Sequence, residues 1–193
     1  MSAMRFQPKE EDVPNGPFAG SLLIAHPSLR DYNFKKTIVL LTAHDNAEGS
    51  LGVIINKPMN QTLGEFDPDL KDSGLSSIPL YKGGPVAPDQ MILVAWKWAQ
   101  NEGSFQLFFG IDEAKAQKIV EEDPDFQLRG FIGHSGWTEG QLEGEVEGGS
   151  WLISPITPDI EQEDSLLMWR AILGHIRPTM LLLADEPENP SLN

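Results

Sequence analysis

Residues 91–98 read MILVAWKW, apolar at every position up to Lys97. Successive side chains of a strand point to opposite faces, so a strand with this sequence must be covered on both sides. The run is strand-sized and far below the ~20 residues needed to span a bilayer. Similar short runs recur along the chain, closed by proline or glycine. GSLLIAH (20–26) ends at Pro27, KTIVLLTAH (36–44) is rich in β-branched residues, and SLGVIINKP (50–58) ends at Pro58, which has no N–H for a ladder. Residues 77–86 read as a strand entering a Gly-Gly-Pro turn, 104–110 as the hairpin partner or near neighbour of 91–98, and 126–134 and 150–156 as further strands.

Helical patterns are fewer. Residues 112–123 carry Asp112 at the N-cap position and an apolar stripe at Ala116, Ile119 and Val120. Residues 164–178 form the strongest pattern, with Asp164 as cap and Gly174 as stop. Thr62 with Glu65 suits one capped turn. Residues 138–149 fit either a short helix, from the pair Thr138 and Gln141, or a strand, from alternating glutamates; a helix ended by Gly148-Gly149 is favoured. Strands dominate the first half and helices interleave in the second. This implies one α+β domain over 19–186 with a mixed sheet, between a polar tail at 1–18 and a short tail at 187–193.

A chain of 193 residues can bury a sizeable core, and 40% hydrophobic with 22% charged residues is a globular composition. The chain has no cysteine, which excludes disulfides and thiolate metal sites. The N-terminal stretch lacks the apolar core of a secretory signal, so a cytoplasmic protein without membrane attachment is expected. Net charge is −15, placed unevenly: residues 1–100 carry nine Lys or Arg against eleven Asp or Glu, and residues 101–193 carry five against eighteen. DNA binding draws on cations that neutralise phosphates, and the only adjacent basic pair is Lys35-Lys36. Direct nucleic-acid binding is therefore not expected.

The stretch GHSGW (133–137) resembles the start of a nucleophile elbow, but Trp137 stands where that motif needs its last glycine. The expectation is a turn in which Gly133 and Gly136 bend the chain and Ser135 bonds locally. His26, His44, His134 and His175 are scattered without ligand spacing, and His44 beside Asp45 is the most interesting pair. KGGPVAP (82–88) lacks a phosphate-loop pattern, and the acidic cluster Asp159, Glu161, Glu163, Asp164 suits a solvated loop. No metal, cofactor or catalytic residue is expected. A ligand pocket, if the chain has one, is expected where three loops meet: Asn56, Lys57 and Pro58; Gly83, Gly84 and the residues up to 86; and His134, Ser135, Gly136 and Trp137.

Five segments in register, GSLLIAHPSLRDYNFKKTIVLL, GVIINKP, YKGGPV, GHSGWTEGQLEGEVEGGSWL and PENPSLN, resemble the YqgE/AlgH-like family of bacterial proteins from about Gly20 to Asn193. The resemblance implies a bent sheet approaching a pseudo-barrel with flanking helices. It implies no catalytic residue set, and one branch of the family carries a name suggesting transcriptional regulation. The expected function is that of a regulatory or interaction protein acting through a protein partner or small ligand. The alternative is a small-molecule binding protein or unrecognised enzyme with its site at the three loops.

Overall fold

In the computed structural model, residues 3–7, 16–45, 47–161 and 165–184 are described. Among these residues, ten strands form one sheet. In chain order they are β1 (Met4–Phe6), β2 (Ser21–Ala25), β3 (Ile38–Asp45), β4 (Gly49–Ile54), β5 (Pro58–Thr62), β6 (Pro79–Lys82), β7 (Val86–Ala99), β8 (Ser104–Phe109), β9 (Gln127–Trp137) and β10 (Trp151–Pro155). The helices among the described residues are α1 (Leu63–Phe66), α2 (Glu113–Glu122), α3 (Gln141–Glu147), α4 (Ser165–Ile176) and α5 (Met180–Ala184).

The main path of the sheet runs β1-β8-β7-β9-β4-β3-β2-β10. Strand β9 is its pivot. Gln127–Ile132 pair with β7, Gly130–Ile132 pair in parallel with β6, and Ser135–Trp137 pair with β4. One edge of β9 thus passes from β6 to β4, and the strand bends between them at Gly133, whose φ is +70°. That left-handed conformation suits glycine. This change of partner curls the sheet into a half-barrel, the bent α+β architecture expected.

Strand β7 is covered on both faces, as its sequence requires. Val94 and Trp96 enter one core with β2, β3 and α4, while Leu93 and Ala95 enter a second with α1 and α2. Strands β2 and β3 alternate in the same way between the first core and a third one beneath α3, with Leu22, Ile24, Ile38 and Leu40 on one side and Leu23, Ala25, Val39 and Leu41 on the other. Each such Leu, Ile or Val contributes about 1.5–3 kcal/mol of burial. Helix α4 is anchored by Trp169, whose indole N–H donates to Ala25 O at 3.0 Å.

Local signals hold at several ends. Asp112 caps α2 by accepting from Lys115 N at 2.7 Å. Thr62 N donates to Glu65 Oε2 at 2.8 Å, closing the capped turn of α1. The ambiguous stretch is helical, with Thr138 N donating to Gln141 Oε1 at 3.1 Å and Gly148 as C-cap of α3.

Four expectations are corrected. Residues 4–6, read as part of a tail, form an edge strand paired with Leu107, Gln106 and Phe105. Pro58 opens β5 and does not close the preceding strand, which ends at Ile54. Gly174 lies inside α4, where its missing side chain admits Leu181; a Cβ there would meet Leu181 Cδ1 at 3.2 Å. The helix ends at Ile176, two residues before Pro178. Lastly, GHSGW is not a turn: all five residues belong to β9, and only Gly133 bends it. The Asp164 cap, the Glu163 position and the closing PENPSLN lie outside the described residues.

Candidate functional site

Two of the three expected loops meet, but as a structural seam. Gly83 N donates to Ile132 O at 2.8 Å, and Gly83 O accepts from Ile54 N at 2.8 Å and from Ser135 Oγ at 3.2 Å. A Cβ on Gly83 would lie 2.3 Å from Gly133 O, and one on Gly84 would lie 2.1 Å from His134 O. These glycines therefore let two stretches of backbone touch, leaving no room for a ligand between them. Ser135 is fully buried, which removes it as a nucleophile in this conformation. His134 is half-buried in register with Val86.

Asn56 is likewise structural. It is 4% exposed, accepts from Ile38 N at 2.7 Å and donates to Lys36 O at 3.0 Å. The side chain so clamps the start of β3 to the chain beyond β4. Trp137 is 6% exposed, and no stacking face is open to solvent. Its indole N–H donates to Glu145 Oε2 at 2.9 Å, and that oxygen also accepts from Trp151 Nε1 at 2.8 Å. Glu145 Oε1 accepts from Gln141 Nε2 at 2.9 Å. One carboxylate thereby joins α3, β9 and β10.

Lys57 is different. It lies beside Lys82, since the β5–β6 register pairs Pro58 with Tyr81 and Lys82 N donates to Lys57 O at 2.9 Å. Both ammonium groups reach Asn33. Lys57 Nζ donates to Asn33 O at 2.7 Å, and Lys82 Nζ stands a long 3.5 Å from Asn33 Oδ1 and 5.5 Å from the Tyr32 ring centroid. Burial lowers the Lys57 pKa below its ordinary 10.5, and Lys82 lowers it further, against the opposing charge of Asp31.

Asn33 belongs to the loop 26–37 between β2 and β3, which contributes most to the site. Asp31 Oδ1 accepts from Asn33 N at 2.8 Å and from Phe34 N at 3.1 Å, and Asp31 O accepts from Lys35 N at 2.8 Å. A cavity of about 350 Å³ is lined by Asp31 and Phe34 of this loop together with Trp137, Gln141, Glu145 and Trp151. Two larger hollows, about 660 Å³ beside Thr62 and Lys71 and about 520 Å³ beside Trp98 and Gln127, include none of the residues singled out in the sequence as a site.

A hydroxyl–imidazole–carboxylate chain occurs elsewhere. His44 Nδ1 lies 2.8 Å from Ser50 Oγ, and Nε2 lies 3.6 Å from Glu143 Oε1. It ties α3 to β3 and β4, and none of the three hollows is lined by its residues. Among the described residues, no group of three His, Asp or Glu is placed to hold a metal ion. No helix among them is long and apolar enough to cross a membrane.

Sequence reading missed Asp31, Asn33, Phe34, Lys82 and Glu145. The available signal was the D-x-N spacing of Asp31 and Asn33, which suits an Asx-turn, in a loop carrying both charge and aromatic rings.

The fold and these positions define a single-domain α+β protein with a curled, mostly antiparallel sheet. The chain belongs to the AlgH-like family, whose family model matches residues 22–180. A UPF0301 protein of Streptomyces coelicolor, SCO2948, is 33% identical over 187 residues, covering 90% of this chain and 94% of the relative. A UPF0301 protein of Parabacteroides distasonis is 32% identical over 185 residues, covering 92% of each. Among solved structures, DIP2367 of Corynebacterium diphtheriae matches with a TM-score of 0.67 at 20% identity, over 91% of this chain and 96% of that one. The solution structure of AlgH from Pseudomonas aeruginosa matches with a TM-score of 0.64 at 22% identity, over 94% and 100%. At those identities the structures establish the fold.

Proposed function

We propose that this chain is a non-catalytic binding protein, regulatory in role, that takes a small anionic ligand at the Lys57–Lys82 pair. The observation that carries this reading is the convergence of two ammonium groups on one residue, Asn33, in a chain of net charge −15. Like charges side by side repel, and partial burial strengthens the repulsion by lowering the effective dielectric constant. An anion between them reverses the sign of the interaction and gives each lysine a charge-assisted partner. The 26–37 loop rests on the same lysines, so occupancy of the pair is communicated to an outer surface that a protein partner can read. The site of action is the cytoplasm. Duplex DNA is not the ligand, because the net negative field of the chain opposes its approach.

Titration calorimetry with inorganic pyrophosphate at low ionic strength tests the reading. The expected result is saturable binding that weakens about tenfold or more in Lys57→Met and in Lys82→Met, each of which keeps its apolar stem. Binding undiminished in both variants, or no binding of pyrophosphate, phosphate or sulfate by the unaltered chain, overturns it.

A further inference from the structure

Lys57 and Lys82 are joined twice, through the backbone and through Asn33. Lys82 N donates to Lys57 O at 2.9 Å, so the two side chains leave neighbouring points of the β5–β6 pair. Their nitrogens then meet two oxygens of one asparagine, Lys57 at Asn33 O and Lys82 near Asn33 Oδ1. Those oxygens are a few bonds apart, which spaces the two nitrogens for the two ends of one short ligand. The turn that carries them is pinned, because Asp31 Oδ1 accepts from both Asn33 N and Phe34 N.

The two lysines are not equivalent. Lys57 is half-buried and donates to a fixed backbone oxygen at 2.7 Å, its one hydrogen-bond acceptor among the described residues. Lys82 has the long 3.5 Å contact and the Tyr32 ring, so its ammonium can turn toward a ligand anion. Neither is ion-paired with a carboxylate among the described residues. Burial and the adjacent cation both disfavour the charged form of Lys57. Desolvation and a neighbouring cation are the two conditions that make a lysine an amine nucleophile. As an amine, Lys57 still donates one N–H to Asn33 O and keeps its lone pair for an electrophile.

We propose that Lys57 captures a short oxo-carboxylate as an imine, with Lys82 holding the carboxylate end. This rests on the lysine pair being the anion site. The Lys57 lone pair forms a bond to the carbonyl carbon, and the carbonyl oxygen takes up a proton to give a carbinolamine. That oxygen then leaves as water with the second amine hydrogen, and a C=N bond remains. The capture is reversible by hydrolysis and needs no oxidant or reductant. The carboxylate on Lys82 holds the carbonyl group beside Lys57, so the second contact forms at high effective concentration.

The test is reductive trapping of the full chain with glyoxylate and cyanoborohydride at low ionic strength, with labelling at each lysine followed by peptide mass spectrometry. Lys57 is expected to be labelled about tenfold or more faster than the exposed Lys71 and Lys118. That preference should be larger with glyoxylate than with propanal, which has no anionic end, and sulfate should suppress it for glyoxylate alone. Lys82→Met is expected to remove the advantage of glyoxylate over propanal, and Lys82→Arg, which keeps a cation, to retain it. Sulfate binding is measured in parallel by calorimetry. Lys57 labelled no faster than Lys71, with sulfate still bound, overturns the imine while leaving the anion site standing. An equal preference with glyoxylate and propanal overturns the oxo-carboxylate assignment. Absence of any lysine-dependent sulfate binding overturns the anion site and this inference with it.

Discussion

Ser135 Oγ donates a hydrogen bond to the carbonyl oxygen of Gly83, 3.2 Å away and 52 positions distant in the chain. The bond stitches β9 to the end of β6 where β9 changes partner. Ser135→Ala removes it without orphaning the carbonyl, which also accepts from Ile54 N at 2.8 Å. The expected loss is about 0.5–1.5 kcal/mol in chemical denaturation, with anion binding unchanged. A loss of binding with stability preserved would mean that the serine contacts ligand after all.

The two glycines that follow the bonded residues in sequence, Gly84 and Gly136, should behave in opposite ways. A Cβ at Gly84 would lie 2.1 Å from His134 O, a backbone atom that cannot swing aside. Gly84→Ala should therefore cost about 3 kcal/mol, near the upper end for overpacking. For a chain of this size that lowers the melting temperature by roughly 6–12 °C. At Gly136 the nearest atoms to such a Cβ are 3.9 Å away, so Gly136→Ala should stay within about 0.5 kcal/mol. Differential scanning calorimetry on the pair checks both, and equal losses would refute the seam.

The elements legible in the sequence were those with strong period and strong punctuation. The doubly apolar run at β7, the hairpin to β8 and the capped α2 depend on nearby residues alone. The change of partner along β9 depends on β4, β6 and β7, which meet only in the fold, so Gly133 to Trp137 looked like a turn. The site divided along the same line. Lys57 was recognisable as a candidate ligand-binding residue, but its partner Lys82 comes from another strand and its contact Asn33 from a third segment. Trp137, singled out as a stacking surface, is occupied by Glu145 eight residues later. Arg129 is the least foreseeable case: it is 6% exposed within β9, its guanidinium 4.5 Å from the Trp96 ring centroid and 4.9 Å from that of Tyr81. Nothing in its own neighbourhood of sequence distinguishes it from a surface arginine.

Glu145 should matter to stability beyond its one charge. Glu145→Ala leaves the indole N–H groups of Trp137 and Trp151 without their acceptor in a buried setting. At about 1–3 kcal/mol for each unsatisfied donor, the loss should be about 2–6 kcal/mol. Glu145→Gln retains one oxygen for the indoles and should cost less. The check is chemical denaturation followed by tryptophan fluorescence, with near-equal losses for Ala and Gln counting against the shared acceptor.

Helix α3 should also respond to His44, which joins it to the sheet through Ser50 and Glu143. His44→Ala removes both contacts, and local opening of a short helix should then become easier than global unfolding. Amide exchange across residues 141–147 should accelerate about tenfold while β7 and β9 remain protected, a local change equivalent to about 1.4 kcal/mol. Uniform acceleration throughout the chain would mean that the histidine supports the whole fold and not the docking of this helix.

Lys57 gives the site a pH dependence of definite sign. Its folded pKa is lowered from 10.5, by burial first and Lys82 second. Between that lowered value and 10.5 the unfolded chain holds more protons than the folded one, so this lysine makes stability rise with pH across the window. Anion binding acts oppositely, because a bound anion favours the charged ammonium and is accompanied by proton uptake. Affinity for sulfate, which does not itself titrate in this range, should therefore begin to fall at a pH below the ordinary lysine value. Lys57→Met should bind sulfate more weakly and lose that early decline. Calorimetry in buffers of different ionisation enthalpy reads the proton uptake directly. An identical pH profile in the two proteins would show that the anion does not meet Lys57.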